Sequence, residues 1–331
     1  MISRRSFIVG LALGLAASPI STGAQQRKTW RVAFLSGGGR PTDGLPPRPL
    51  REALQEALQE LGYIEEQNVV YVGRWADAKQ DQLSRLAAEL VDLKVNVIVT
   101  QGGPASLAAK QATSSIPIVL AQVGDADGIG LIQSLARPGG NVTGVTDQSV
   151  ELSAKRLELL KETVPKAARI AVLWNADDLG MTLRYHEVEK AARLLHVAVQ
   201  ALGVREPNDF EAAFSAMTQN RPDALFLVTD ALTALNRKRV IEFARVHRIP
   251  AVYEYDFLVQ DGGLMSYGAS PADNYRLAAT YVDRIFKGAA PGTLPVERPS
   301  RYYLTVNLKT AKALSLTIPP SVLVRADQVI E

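Results

Sequence analysis

The sequence predicts an α/β protein of two doubly wound, Rossmann-like lobes joined by a multi-strand hinge. Three observations carry this. Short β-like runs alternate with amphipathic helical runs along most of the chain. Several of those strands are almost continuously apolar, as strands buried on both faces of a parallel sheet are. The same grammar resumes after Pro138-Gly139-Gly140, without a repeated motif.

In order, Trp30 to Ser36 reads as a strand. Leu50, Ala53, Leu54, Ala57, Leu58 and Leu61 then recur on one helical face, and Gly62 ends that helix. Asn68 to Trp75 is a strand, Leu83 to Leu90 a helix, Val95 to Thr100 a strand, Ser106 to Ala112 a helix and Ile116 to Ala121 a strand. After the glycines come a strand at Val142 to Thr146, a helix at Leu152 to Leu160, a strand at Arg169 to Trp174 and a helix at Arg184 to Leu195. Val197 to Leu202 is a strand. The helix Asp209 to Met217 follows, with Asn208 or Asp209 as its cap. Ala224 to Val228, the helix Asn236 to His247, and Ala251 to Tyr253 complete the alternation. The tail predicts a strand at Leu264 to Tyr267, a helix at Asp273 to Phe286 ending at Gly288, a proline-rich linker over 289–300, a strand at Tyr302 to Asn307 and a short helix at Leu308 to Leu314. A tail of this length implies more than one crossing between lobes. The expected boundaries are 28–145 plus about 258–292 for the first lobe, and 146–257 plus about 293–331 for the second.

The first 24 residues read as a signal peptide. Arg4 and Arg5 precede an apolar run from Ile8 to Ala17, and Thr22-Gly23-Ala24 gives a small-residue exit. The run SRRSFI matches the twin-arginine pattern, with an ordinary secretion signal as the other reading. The apolar stretch is shorter than the roughly 20 residues a bilayer span needs. The expected location is a bacterial periplasm.

The chain has 331 residues, 47% of them hydrophobic, with a net charge of +3 and no cysteine. That length suits two cores better than one. Near-neutrality argues against a nucleic-acid surface. Without thiols there is no disulfide, no thiolate metal site and no cysteine nucleophile.

Catalytic signatures are absent. The sequence holds no G-x-S-x-G elbow and no Walker loop, and the glycines of 124–130 are wrongly spaced for a dinucleotide fingerprint. His186, His196 and His247 have no metal-ligand spacing. Neither a cofactor nor a metal is expected.

Open parallel sheets bind ligands beyond the carboxyl ends of their strands, so the residues just past each strand are the candidates. These are Ser36 and Gly37, then Gln101, Gly102 and Gly103, then Gln122 and Asp125, and in the second half Asn175, Asp230, Tyr253 and Glu254. Gly102 and Gly103 open a helix whose free N–H groups suit a carboxylate, although a tight turn also calls for glycine. Asp125 suits an ammonium group, or caps the segment before Gly128. Glu254 is a second partner for a cation. Trp174, Tyr253 and Tyr255 offer faces for a flat ligand, or core packing.

The runs LQELGYIEEQNVV, LARPGGNVTGVT, KRLELLKETVP, GGLMSYG and NLKTAKALSLTIPPSVLVRADQVIE resemble the ABC-transporter substrate-binding proteins of the type I periplasmic binding class. The likeness is greatest to the group that includes tryptophan- and tyrosine-binding members, and it spans the mature chain. The resemblance implies two lobes closing on a small solute, which passes to a membrane permease driven by a cytoplasmic ATPase. It implies a monomeric receptor with no catalysis. The family usually carries a proline after the pair matching Gly124-Asp125, where this chain has Ala126-Asp127. An amino-acid-like or aromatic carboxylate is the expected ligand. A secreted enzyme on the same scaffold and a sensory module for a membrane receptor are the alternatives.

Overall fold

The computed structural model describes residues 28–40, 48–147 and 149–331. The expected signal peptide lies outside the described residues.

The first group of elements runs β1 (Trp30–Ser36), α1 (Arg48–Glu60), β2 (Val69–Trp75), α2 (Leu83–Asp92), β3 (Val97–Gln101), α3 (Gly103–Ala112), β4 (Ile118–Gly124) and β5 (Val142–Asp147). The strands form a parallel five-stranded sheet in the order β2-β1-β3-β4-β5. The chain then passes into α4 (Ser149–Thr163), β6 (Arg169–Asn175), α5 (Leu179–Leu194), β7 (Ala198–Val204), α6 (Asp209–Gln219), β8 (Ala224–Leu227), α7 (Ala231–Leu235), α8 (Arg237–Val246), β9 (Ala251–Tyr253), α9 (Asp256–Gln260) and β10 (Met265–Gly268). It returns through α10 (Pro271–Phe286), and finishes with β11 (Tyr303–Asn307), α11 (Leu308–Ala313), α12 (Pro320–Leu323) and β12 (Gln328–Ile330). The second sheet has seven strands in the order β12-β11-β10-β9-β8-β6-β7, all parallel except the β10–β11 pair.

Both sheets are buried on two faces, which explains their unbroken apolar strands. In β1, Val32 and Phe34 pack with α1 and α10 residues such as Leu54 and Tyr281, while Ala33 and Leu35 pack with α2 and α3 residues such as Leu86 and Ala109. In β6, Ile170 and Val172 join the α4 and α5 core, and Ala171 and Leu173 face Phe210 and Val240.

The chain crosses between the sheets three times: after β5, between β10 and α10, and between α10 and β11. On the last crossing, Glu297 pairs with β5 through Thr146 N–H to Glu297 C=O at 2.9 Å and Glu297 N–H to Gly144 C=O at 2.9 Å. Gly144 has φ +124°, and a Cβ there would sit 2.3 Å from the Leu120 carbonyl oxygen. A glycine is therefore required where β5 shifts register against β4.

The structure departs from the sequence expectations at specific points. β10 pairs with β9 in the seven-stranded sheet, so the return crossing falls at 268–271 rather than near 258. α7, α9, α12 and β12 span three to five residues each, too short for periodicity to reveal. Neither Asn208 nor Asp209 caps α6: Asn208 makes no side-chain cap bond, and the Asp209 carboxylate accepts from the N–H groups of Arg205 and Glu206. Among the described residues, no helix is long and apolar enough to cross a membrane.

Candidate functional site

Strand order decides where the cleft falls. In the first sheet β2 and β3 leave β1 in opposite directions, and in the second β7 and β8 leave β6 in opposite directions. These reversals open crevices at the carboxyl ends of β1 and β3, and of β6 and β8. The ends are Ser36 and Gln101 on one side, Asn175 and Leu227 on the other. The two crevices face each other across one cavity, about 1060 Å³ of atom-free space including the part open to solvent.

The lobes are closed on each other. An ideal Cβ on Gly37 would lie 3.4 Å from Ala231 Cβ, and one on Gly39 would lie 3.1 Å from Leu235 Cδ2. At the other end Arg184, from α5, lies so close to Gly124 of β4 that a Cβ on the glycine would be 2.0 Å from Arg184 Nη2.

Of the residues expected at the site, Ser36, Gly37, Gln101, Gly102, Gly103, Gln122 and Asp230 line this cavity. The other four do not. Asp125 adopts φ +53° and folds its carboxylate back over Gly128, where a Cβ would meet its Oδ2 at 2.2 Å. It is a turn residue, because the backbone reverses there directly after β4. Asn175 is buried behind the wall, donating from Nδ2 to Asp230 Oδ2 at 2.6 Å. Tyr253 points into the core beside Val240 and Leu258. Glu254 is fully buried between two arginines: Arg184 Nη1 lies 2.7 Å from Oε2, and Arg156 Nη1 3.2 Å from Oε1. Its partner is the protein's own cation, so it is not a wall residue. Trp174 stacks on Tyr185 at a centroid distance of 3.9 Å and does not line the cavity, whereas Tyr255 does.

A hydrogen-bond relay runs from Tyr255 of the second lobe into the first-lobe wall. Tyr255 O–H donates to Asp147 Oδ2 at 3.0 Å, because a carboxylate only accepts. The tyrosine oxygen then accepts from the Gln122 amide, so the Gln122 oxygen is left to accept from Gln101 Nε2 at 3.1 Å. The Gln101 oxygen in turn accepts from Ser36 O–H at 3.1 Å. The ionised end thus orients both amides, and each –NH₂ retains one further N–H. Beside them α3 begins at Gly103 with N–H groups that have no intrahelical acceptor. Gly102 has φ +86°, a conformation that allows this abrupt strand-to-helix turn. This wall is dominated by donors.

The second-lobe wall is acidic. Asp178 caps α5, its Oδ1 accepting from Gly180 N–H at 2.9 Å and Met181 N–H at 3.4 Å. Among the described residues its Oδ2 has no donor. Burial, reinforced by the nearby Asp230 charge, pushes its carboxyl up to about 6. Asp230 caps α7 in a capping box with Thr233. The hydroxyl of Thr229, the residue before Asp230, is buried without a partner among the described residues. Arg184 is 2% exposed, and burial works against its charge; Glu254 and Asp147 outweigh that and hold its proton more tightly than usual.

Asp147, Asp178, Met181, Arg184, Thr229, Arg237 and Phe257 also line the cavity without having been foreseen. Asp178 carried a usable signal, an aspartate before a helical run. Arg184 carried another, a cation on the same helical face as Val188 and Ala191. Among the described residues, no group of three or more metal-ligating side chains clusters.

The chain resembles proteins of known class. It is 27% identical over 262 residues to a tyrosine-binding protein of Clostridioides difficile, covering 79% of this chain and 75% of that one. It superposes on an ABC domain from Streptococcus pneumoniae solved in complex with L-Trp, with TM-score 0.84, 26% identity, and 92% and 100% of the two chains covered. A conserved domain protein from Vibrio cholerae gives TM-score 0.85 at 26% identity, covering 91% of this chain and all of that one. The model of the ABC transporter substrate binding protein family matches residues 48–330, and with two doubly wound lobes closed over a solute-sized cavity the chain belongs to that family.

Proposed function

We propose that this protein is the exported receptor of an ABC importer, and that its ligand is an amino-acid-type zwitterion held between the lobes. The observation that carries the ligand class is the opposition of the two walls. Donors from Gln101, Gln122 and the α3 N-terminus face Asp178, a cavity-lining residue whose Oδ2 has no donor among the described residues. A carboxylate suits the first wall and an ammonium the second. A neutral sugar would bring no positive charge to the Asp178 carboxylate, which burial and the Asp230 charge already disfavour.

The α-carboxylate sits at Gly103 and the two glutamine amides in this reading. The ammonium sits at Asp178, with the Thr229 hydroxyl as a second acceptor. Leu50, Met181, Ala231, Ala234, Leu235 and Phe257 leave an apolar region for the side chain. Relatives that bind tyrosine or hold L-Trp are consistent with this assignment. No bond is made or broken here: binding favours the closed arrangement by its differential affinity, and the closed lobes are the surface a permease meets. The compartment is the periplasm and the protein acts as a monomer.

Thermal-shift and native mass spectrometry screens against amino acids, aromatic acids and sugars test the reading. Stabilisation by L-amino acids, lost when the α-amine is acylated, is expected. Stabilisation by neutral sugars alone would remove the zwitterion assignment.

A further inference from the structure

We propose that Arg237 reads the far end of the ligand, donating a hydrogen bond to a neutral oxygen on its side chain. This rests on the zwitterion reading and narrows it to amino acids that carry such an oxygen.

Arg237 is the first residue of α8 and lines the cavity, yet only 4% of its surface is exposed. Its Nε donates to Asp261 Oδ2 at 2.5 Å, and its Nη1 to the Ala234 carbonyl at 3.0 Å. A guanidinium has five N–H groups, so these two bonds leave three. Among the described residues Nη2 has no acceptor. Because Arg237 lines the cavity, these donors are open to whatever fills it, and a ligand oxygen is their natural partner once water is displaced.

Placement supports a distal role. Asp230 caps the start of α7 and Arg237 follows its end. The five residues of α7 span about 7–8 Å. That approximates the reach of a long amino-acid side chain from its α-carbon, so a ligand anchored near Asp178 and Asp230 brings its tip to Arg237. The surroundings select the type of oxygen. Ala234, Leu235 and Phe257 line the cavity here, and the guanidinium lies 5.9 Å from the Phe257 ring centroid. Asp261 already supplies the counter-charge. A phenol or carboxamide oxygen fits, whereas a second carboxylate would add an excess negative charge to an apolar site.

Two matched pairs test this by calorimetry on the whole protein: L-tyrosine against L-phenylalanine, and L-glutamine against L-methionine. In any pair that binds, the member with the oxygen is expected to bind about tenfold tighter or more. In Arg237→Met that ratio should shrink to within about threefold; taking the ratio inside one variant cancels any loss of folded protein. Equal affinity within a pair for the wild type overturns the role of Arg237 and leaves the zwitterion reading intact. A ratio unchanged in Arg237→Met assigns the oxygen to another residue and overturns it too. If none of the four binds while another L-amino acid does, Arg237's assignment falls and the zwitterion reading stands.

Discussion

Arg184 and Glu254 form an ion pair 2.7 Å long in which neither side chain is more than 2% exposed. The same guanidinium reaches Asp147 at 3.3 Å, on the strand that leaves the first sheet. The same carboxylate also holds Arg156, which donates from Nε to the Tyr267 carbonyl at 2.6 Å. One charge network therefore ties α4, α5, β5 and the end of β9 together beneath the cleft. Deleting one member leaves buried charge uncompensated. Glu254→Gln should cost about 3–5 kcal/mol of stability. Urea unfolding reads this as a lower midpoint at unchanged slope. A loss below about 1 kcal/mol would mean the arginines are compensated elsewhere.

Asp178 should make binding and stability depend on pH in opposite senses. Its folded value, about 6, lies above its unfolded value of 3.8, so the folded chain holds this proton more tightly. The resulting stabilisation is complete below about pH 4 and is lost as pH rises through about 6. Wild-type stability relative to Asp178→Asn should fall by about 2–3 kcal/mol over that interval. Amino-acid affinity should move the other way, rising up to about tenfold per pH unit from 5 to 6, because the ammonium needs the ionised carboxylate. Asp178→Asn should bind more weakly and with little slope. Calorimetry at pH 5, 6 and 7 measures the binding half.

Gly124→Ala should hinder closure. Its Cβ would occupy space 2.0 Å from Arg184 Nη2 and 2.9 Å from Asp147 Oδ1, atoms fixed by the buried network. The lobes should stay apart, with a larger radius of gyration by X-ray scattering at saturating ligand. Affinity should fall at least about tenfold, since the closed state must now be reached against a clash. An unchanged scattering curve and affinity would show that Arg184 can move aside.

Export can be tested separately from binding. Changing Arg4 and Arg5 to lysine in a reporter fusion should abolish export if the twin-arginine route is used. Unaffected export would assign the leader to the general secretion route.

The layout of both sheets was legible because their strands are apolar on two faces and their helices on one. Ser36, Gln101, Gln122 and Asp230 were found by a topological rule, since residues just past parallel strands face the crevice. The same rule misplaced Glu254, because it does not specify which way a side chain turns. A carboxylate past a strand can serve solute or scaffold, and only the arrival of Arg156 and Arg184, 98 and 70 residues away, decides for the scaffold. Asp178 and Arg184 escaped the rule by lying beyond the strand end, on the cap and second turn of α5. Arg237 opens a run of three cations, Arg237-Lys238-Arg239, which sequence alone reads as the solvated face of a helix. Its burial follows from the bend between α7 and α8, two helices too closely joined for periodicity to separate.

The near-contact between Gly37 and Ala231 has a practical consequence. An ideal Cβ on the glycine would sit 3.4 Å from Ala231 Cβ, close to the separation a disulfide bridges. The chain contains no other thiol. Gly37→Cys with Ala231→Cys would thus give a receptor whose jaws are fastened by oxidation and freed by a reductant. Ligand added before oxidation should be retained through gel filtration and released on reduction. Ligand added afterwards should be refused.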